Sequence, residues 1–314
     1  MDFMKLEPVL ILCSAAAGLA VGQAVPDVPY LVCVEPLLTG MLFFVFLSLE
    51  AGRLKDSFRN LRFTLASTGV NFVWTPLLAF ALGLVFLPGR TDLQIGLMML
   101  CIAPCTDWYL IFTGLARGNV ELGASILPLN LVLQIALLPL YLFIFFGGSV
   151  QTSPADLAAS IVAVLVAPAA LAVLLRAGAG RSAGLARVRE GLGAVSEPAQ
   201  LLFLCLAIAA MFAAESGSVL GSPAVFARLL APVLLFFAVN LFAVRLLVRR
   251  LGMSWEDGIA LNLTTLARNS PLSLAIAASA FPGRADIAFV LVVGALIELP
   301  VLALIAWYLR GKRG

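Results

Sequence analysis

An all-α membrane protein of ten transmembrane helices, laid out as two inverted five-helix repeats, is the fold class this sequence predicts. Three observations carry the expectation. Of its 314 residues, 62% are hydrophobic and only 12% are charged, about half the charge of an average globular domain, so the chain has too little polar surface to face water. Charge-free runs such as residues 8–25 and 63–88 reach or exceed the roughly 18 apolar residues that mark a membrane span. The cations, finally, crowd onto alternate connections, which is the signature of membrane topology.

Taken in order, the apolar runs predict spans over about 8–25, 30–51, 63–87, 93–116, 120–147, 157–175, 199–215, 225–247, 258–281 and 286–309. The first is too long for a signal peptide and leads straight into another span, which makes it a retained helix. The longest connection, residues 176–198, is rich in Gly, Ala and Arg and reads as a flexible tether between halves 1–150 and 151–314. With the N-terminus inside, sixteen of the twenty cations fall on the cytoplasmic side, from Lys5 to Arg313. Arg90, Arg228 and Arg284 fall outside, and Arg268 is left within a span. That bias predicts a cell (inner) membrane protein with both termini cytoplasmic. Five helices per half is an odd number, so a duplicated half must sit upside down relative to the first. One register shift lays Pro139 on Pro300 and Asp107 on Arg268, a faint internal echo of such a repeat.

Composition also excludes function classes. The chain has no histidine, so Ser/His and Cys/His nucleophiles are ruled out and conventional zinc or copper pathways are poorly served. No phosphate-cradling glycine loop is present, so nucleotide-driven pumping by this chain has no support. The expectation is no enzyme and no cofactor. Cys13, Cys33, Cys101, Cys105 and Cys205 lie inside apolar runs and read as free thiols. The net charge of +3 sits in short loops, a mark of topology and no sign of nucleic acid. The expected partners are lipid and a small-molecule or metalloid substrate.

The chemistry concentrates in two runs, CIAPCTDWY at 101–109 and NLTTLARNSPLS at 262–273. Pro104 and Pro271 each predict a helix break, because proline removes a donor and clashes with the preceding turn. Interrupted helices in matching positions of two repeats point to a transport site; the alternative is a pair of plain kinks. Asp107 and Arg268 cost on the order of 2.5–3.5 kcal/mol each to insert at the centre of a span. They are expected to approach one another, as a structural ion pair or as a protonatable coupling site with its counter-charge. Cys101 and Cys105, four apart, are expected on one helix face, where two thiols suit a thiophilic metalloid or serve as small apolar filler. Thr106, Asn269, Ser270 and Ser273 are candidate substrate contacts, and Thr264 and Glu298 join Asp107 as candidate ion-coupling residues. Asn71, Asn130, Gln134 and Asn240 are further polar residues within spans that can hold helices together.

The runs CTDWYLIFTGLARGN (105–119), LNLVLQ (129–134), RNSPLSLAIA (268–277) and IELPV (297–301) resemble the bile acid:sodium symporter superfamily, and within it the arsenical-resistance permeases that expel arsenite. The resemblance implies a panel domain from spans one, two, six and seven. It implies a core domain from spans three to five and eight to ten, in which broken spans four and nine cross. It assigns the substrate-contacting cysteine to Cys105. It also expects acidic residues that this chain lacks. Ser273 stands at one such position, and Thr264 and Arg268 stand where the bile acid branch coordinates sodium. A cation at Arg268 would repel sodium, which makes the proton the expected coupling ion and Asp107 the replacement acid.

The leading expectation is therefore a proton-coupled exporter of arsenite or a related metalloid. The alternatives are a transporter of a small organic anion bound by Arg268 and, from another class, a non-transporting membrane sensor.

Overall fold

The computed structural model describes residues 3–48, 59–105, 108–147, 154–214, 216–217, 223–281 and 283–311. The helices, in chain order, are α1 (Phe3–Ala24), α2 (Leu31–Ser48), α3 (Leu61–Gly69), α4 (Thr75–Phe86), α5 (Thr91–Ile102), α6 (Trp108–Leu115) and α7 (Val120–Phe146). They continue as α8 (Pro154–Ala179), α9 (Ala183–Ala194), α10 (Ser196–Ala214), α11 (Pro223–Arg250), α12 (Trp255–Leu266), α13 (Ser270–Ala280) and α14 (Ala285–Gly311). A π-helical turn, Val70–Trp74, joins α3 to α4 without a break. Among the described residues, four helical stretches are long and apolar enough to cross a bilayer: Leu61–Phe86, Val120–Phe146, Ala227–Arg250 and Asp286–Gly311. A bent pair, Ala183–Ala194 with Pro198–Ala214, makes a fifth if it is one span. The protein is helical and multi-pass.

Side chains of the sequence set these ends. Asn60, Asn119 and Ser254 cap α3, α7 and α12, each accepting from the backbone N–H three residues on, at 3.1, 3.0 and 3.1 Å, which satisfies one of the four donors that any helix start leaves bare. Pro76 follows directly on the π turn, the kind of irregularity in the helical ladder that accommodates a residue without an N–H. One sequence expectation needs correction. The stretch 176–198 is no flexible tether: α8 runs on to Ala179 and α9 occupies Ala183–Ala194. Leu185, Val188 and Leu192 recur at helical spacing on α9, with Arg187 and Glu190 on other faces, although the helix buries none of its residues.

The chain divides into two compact units, residues 1–49, 155–223 and 274–285 in one and residues 50–154, 224–273 and 286–314 in the other. In the first, α10 packs on both α1 and α2. A Cβ at Gly18 would overlap the Ala209 carbonyl and one at Gly22 the Ala213 carbonyl, so α1 and α10 meet backbone to backbone. Between helices in lipid the driving force is this close packing, since hydrocarbon gives no hydrophobic gain. Arg176 donates to the carbonyls of Phe46 and Leu47 at 2.6 and 2.7 Å, closing the end of α2.

In the second unit, Phe63, Ala66, Val70, Ile126, Val244, Val248, Ala260 and Leu261 form one buried cluster across α3, the π turn, α7, α11 and α12. Helix α5 lies against α14, where Gly96 meets Val290 and Gly294 meets Leu100. Arg90 and Asp286, at the starts of these two helices, form an exposed ion pair at 3.2 Å, a contact worth little by itself.

Replacing Gly18 or Gly22 with leucine forces α1 away from α10. The expected cost is about 1–3 kcal/mol, read as a fall of several degrees in the thermal unfolding midpoint of the detergent-purified protein, whereas leucine at the open Gly191, a better helix former than glycine, should not lower it.

Candidate functional site

The site is where two interrupted helices cross within the second unit. Helix α5 ends at Ile102 and Ala103 turns to extended backbone; α12 ends at Leu266 and Ala267 does the same. The unwound residues then pair with each other. Pro104 and Arg268 form an antiparallel bridge, Cys105 N–H donates to the Ala267 carbonyl at 3.0 Å, and Asn269 N–H donates to the Ala103 carbonyl at 2.7 Å. Proline fits here because its missing donor falls at a position the ladder does not use. The second break precedes Pro271 by two to four residues. Pro271 lies in the first turn of α13, where it starts a helix more readily than it breaks one.

Unwinding leaves helix-end carbonyls that must find donors. At the end of α12 all four are met: Leu263 O by Ala267 N–H (3.0 Å), Thr264 O by Asn71 Nδ2 (3.5 Å), Thr265 O by Asn240 Nδ2 (3.4 Å) and Leu266 O by Arg268 Nε (3.2 Å). At the end of α5, Met99 O takes the Ser273 hydroxyl (2.9 Å) and Cys101 O takes Arg268 Nη1 (2.7 Å). Arg268 Nη2 reaches Asn71 Oδ1 at 3.1 Å, and the guanidinium lies 5.3 Å from the Phe236 ring centre. It is 2% exposed. One cation thus stands at the negative ends of two half-helices.

Glu298 on α14 serves the opposite polarity. Its carboxylate accepts the Arg268 backbone N–H at 2.6 Å and the Ser270 hydroxyl at 3.4 Å, beside the N-terminus of α13, where the helix dipole favours negative charge. Asn269 caps the same helix, its Oδ1 accepting from Leu272 N–H at 3.1 Å. Thr264 Oγ1 accepts from Asn130 Nδ2 at 3.4 Å. Asn130 Oδ1 and both amide atoms of Gln134, one turn along α7, are buried without a partner among the described residues.

The crossing therefore gathers Cys105, Arg268, Asn269, Ser270, Ser273, Thr264 and Glu298, all of them buried. Thr106 and Asp107 lie outside the described residues, and with them the expected approach of Asp107 to Arg268. The shared face of Cys101 and Cys105 needs correction: Cys101 belongs to α5, but Cys105 lies past the helix end in extended chain, so four-residue spacing no longer aligns them. Both are buried, and among the described residues neither is in a disulfide. Sequence reasoning noted Asn71 and Asn240 only as helix glue, and it missed Phe236, one phenylalanine among 21 with nothing to distinguish it.

Unwound backbone tolerated inside an apolar helical protein, with polar side chains turned onto it, defines a membrane transporter rather than an enzyme. Comparison with known proteins agrees. The chain belongs to the Sodium Bile acid symporter family, which it matches over residues 35–222. It is 25% identical to arsenical-resistance protein Acr3 of Corynebacterium glutamicum, over 95% of this chain and 86% of that protein. It is 28% identical to an uncharacterised protein of Pseudomonas aeruginosa, over 78% of this chain and 75% of that one.

Asn269→Ala removes the α13 cap and is expected to cost about 1 kcal/mol, while Asn269→Ser, which keeps a neutral side-chain acceptor, should cost less. Thermal unfolding of the two purified variants checks the order, and equal losses would show that the cap is not what Asn269 contributes.

Proposed function

We propose that this chain is a ten-span carrier with both termini in the cytoplasm of a bacterial-type inner membrane, and that it expels arsenite or a related metalloid in exchange for protons. The observation that carries the cargo is Cys105, a buried thiol in unwound chain at the crossing, in a protein similar to one named for arsenical resistance. A sulfur ligand selects soft, thiophilic centres over hard ions. Thr106, Ser270 and Ser273 supply hydroxyl oxygens that can accept from the hydroxyls of such a cargo, and Asn130 Oδ1 and the Gln134 amide, unpartnered among the described residues, offer an acceptor and a donor–acceptor pair.

The ten-span layout is supported by the sixteen cations on one side of the predicted spans. The inverted repeats are supported by the placement of the two interruptions in corresponding parts of each half. The unit containing α1, α2 and α8 to α10 corresponds to the panel, and the unit that carries the crossing to the core. Asp107 is the coupling acid in this reading, with Glu298 second: both are carboxylates in apolar runs, and a transported proton needs such a group. Arg268 spends three donors on protein oxygens, which favours a neutral metalloid acid over an organic anion held by that side chain.

Arsenite uptake into inverted vesicles under an imposed proton gradient tests the proposal. Wild type should accumulate arsenite, Cys105→Ser should lose about tenfold or more of the uptake, and Asp107→Asn should abolish its dependence on the gradient. Wild-type vesicles that take up no arsenite would overturn the cargo, and full activity in Cys105→Ser would remove the thiol from it.

A further inference from the structure

Helix α9 leaves every one of its residues at least partly exposed. Leu185 and Val188, one turn apart on one side, are 42 and 50% exposed, and Val195 at the C-cap is 47% exposed. In a membrane protein such a stripe is covered by lipid or by protein, and the surroundings of α9 favour lipid. It joins two long apolar helices, α8 of 26 residues and α10 of 19, yet it carries Arg187, Arg189 and Glu190 within its own 12 residues, too much charge for hydrocarbon. It is bent by 61° from the stretch Pro198–Ala214 that follows it, so it turns off the axis of that helix and toward the membrane surface. An apolar face with arginines beside it is the pattern of a helix lying in the headgroup layer, where arginine keeps its charge in water and lays its stem along acyl chains.

Beside α9 lies an open groove of about 540 Å³, within the roughly 300–1,000 Å³ of small-molecule sites. A tight turn shapes it. The N–H groups of Arg181 and Ser182 both donate to the Gly178 carbonyl, at 2.9 and 3.0 Å, and Leu185 closes on Gly178, where a Cβ would come within 2.7 Å of it. The groove is lined by Arg176 and Gly180 from the end of α8 and its turn, by Leu47 from the end of α2, and by Arg189, Glu190 and Gly193 from α9. The carbonyls of Phe46 and Leu47 hold Arg176, so its charge is fixed at the wall. Arg189 stands one turn from Leu185, at the boundary between groove and apolar face. Two arginines and one glutamate leave the wall one net positive charge, and residues 176–198 carry four arginines against two glutamates. The complement is an amphiphile with a single negative charge where its head meets its tails.

We propose that α9 and this groove hold an anionic phospholipid of the surrounding bilayer, with the phosphodiester drawn to Arg189, Arg176 as the second charge, and the acyl chains along Leu185 and Val188. A zwitterionic headgroup, with no net charge, has less to gain there. The site lies within the unit that contains α1, α2 and α8 to α10, and the inference holds whatever the cargo is.

Quenching by brominated lipids tests it, on the full chain reconstituted in phosphatidylcholine vesicles. Val188→Trp puts a reporter on the exposed face of α9, read against the background of the four native tryptophans in the unsubstituted chain. The reporter should be quenched at least about twofold more by brominated phosphatidylglycerol than by brominated phosphatidylcholine or phosphatidylethanolamine at the same fraction. Adding Arg189→Gln to the reporter chain should weaken the apparent affinity for phosphatidylglycerol by about fivefold. Glu190→Gln, which removes the one acid lining the groove among the described residues, should strengthen it. Both side chains are exposed, so neither substitution is expected to unfold the protein. Equal quenching by the three headgroups would overturn the proposal, as would an Arg189→Gln chain that keeps the full preference. Quenching by none of them would show that lipid does not cover α9. Relief of the quenching by glycerol phosphate in the buffer would assign the groove to a soluble phosphate and overturn the lipid. Arsenite transport enters none of these readings, so failure here leaves the cargo proposal standing, and the reverse also holds.

Discussion

The pairing of two unwound segments is the constraint from which the site follows. Neither Ala103–Pro104–Cys105 nor Ala267–Arg268–Asn269 can satisfy its own backbone, and an apolar surrounding offers no water to do so. Each supplies the donors and acceptors the other lacks, through Cys105 N–H to Ala267 O and Asn269 N–H to Ala103 O. The break in one helix is tolerated because of the break in the other. A polar environment follows, since the remaining helix-end carbonyls draw in Ser273, Asn71, Asn240 and Arg268, and those side chains cannot then point into lipid. What makes the crossing chemically useful is thus the same requirement that makes it stable.

The two charges that the described residues place near the crossing are arranged by the direction of the half-helices. Arg268 sits where α5 and α12 end, and Glu298 sits where α13 begins. Exchanging them would set each against the dipole it now complements. A carrier needs a region that is polar enough to receive cargo and rigid enough to present it in one geometry. The crossing meets both demands with short side chains anchored to backbone.

Much of this was legible in the sequence, for one reason: a polar residue in an apolar run has to meet another. That logic singled out Arg268, Glu298, Thr264, Ser270 and Ser273, and the structure brings them into one place. It also put the first interruption at Pro104. Where it failed, local physics had offered a second option. Pro271 was read as a breaker but stands in the opening turn of α13, and the Asn269 that precedes it by two residues was the capping signal that separates the two cases. Glycines and arginines hid α9, although Leu185, Val188 and Leu192 were spaced for a helix. The side-by-side placement of Cys101 and Cys105 assumed a helix that stops between them. For Phe236 and for the π turn at Val70–Trp74, composition held no signal, because each is defined by what it packs against.

That π turn has a consequence for how this sequence tolerates change in length. A π turn is one residue wound into a helix beyond its regular complement, and here it lies between two α-helical stretches that continue without a gap. Deleting a single residue from Val70–Trp74 would return the stretch to ordinary α-helix and turn everything on one side of it by about 100° relative to the other. Asn71, which reaches Arg268 and Thr264, and Trp74, which reaches Asn240 at 2.8 Å, would then be out of phase with α3 or with α4. Most of an apolar span can absorb substitution by a similar residue. This one cannot absorb the loss of a residue, and a chain that carried such a deletion would have to rebuild the crossing around a different partner.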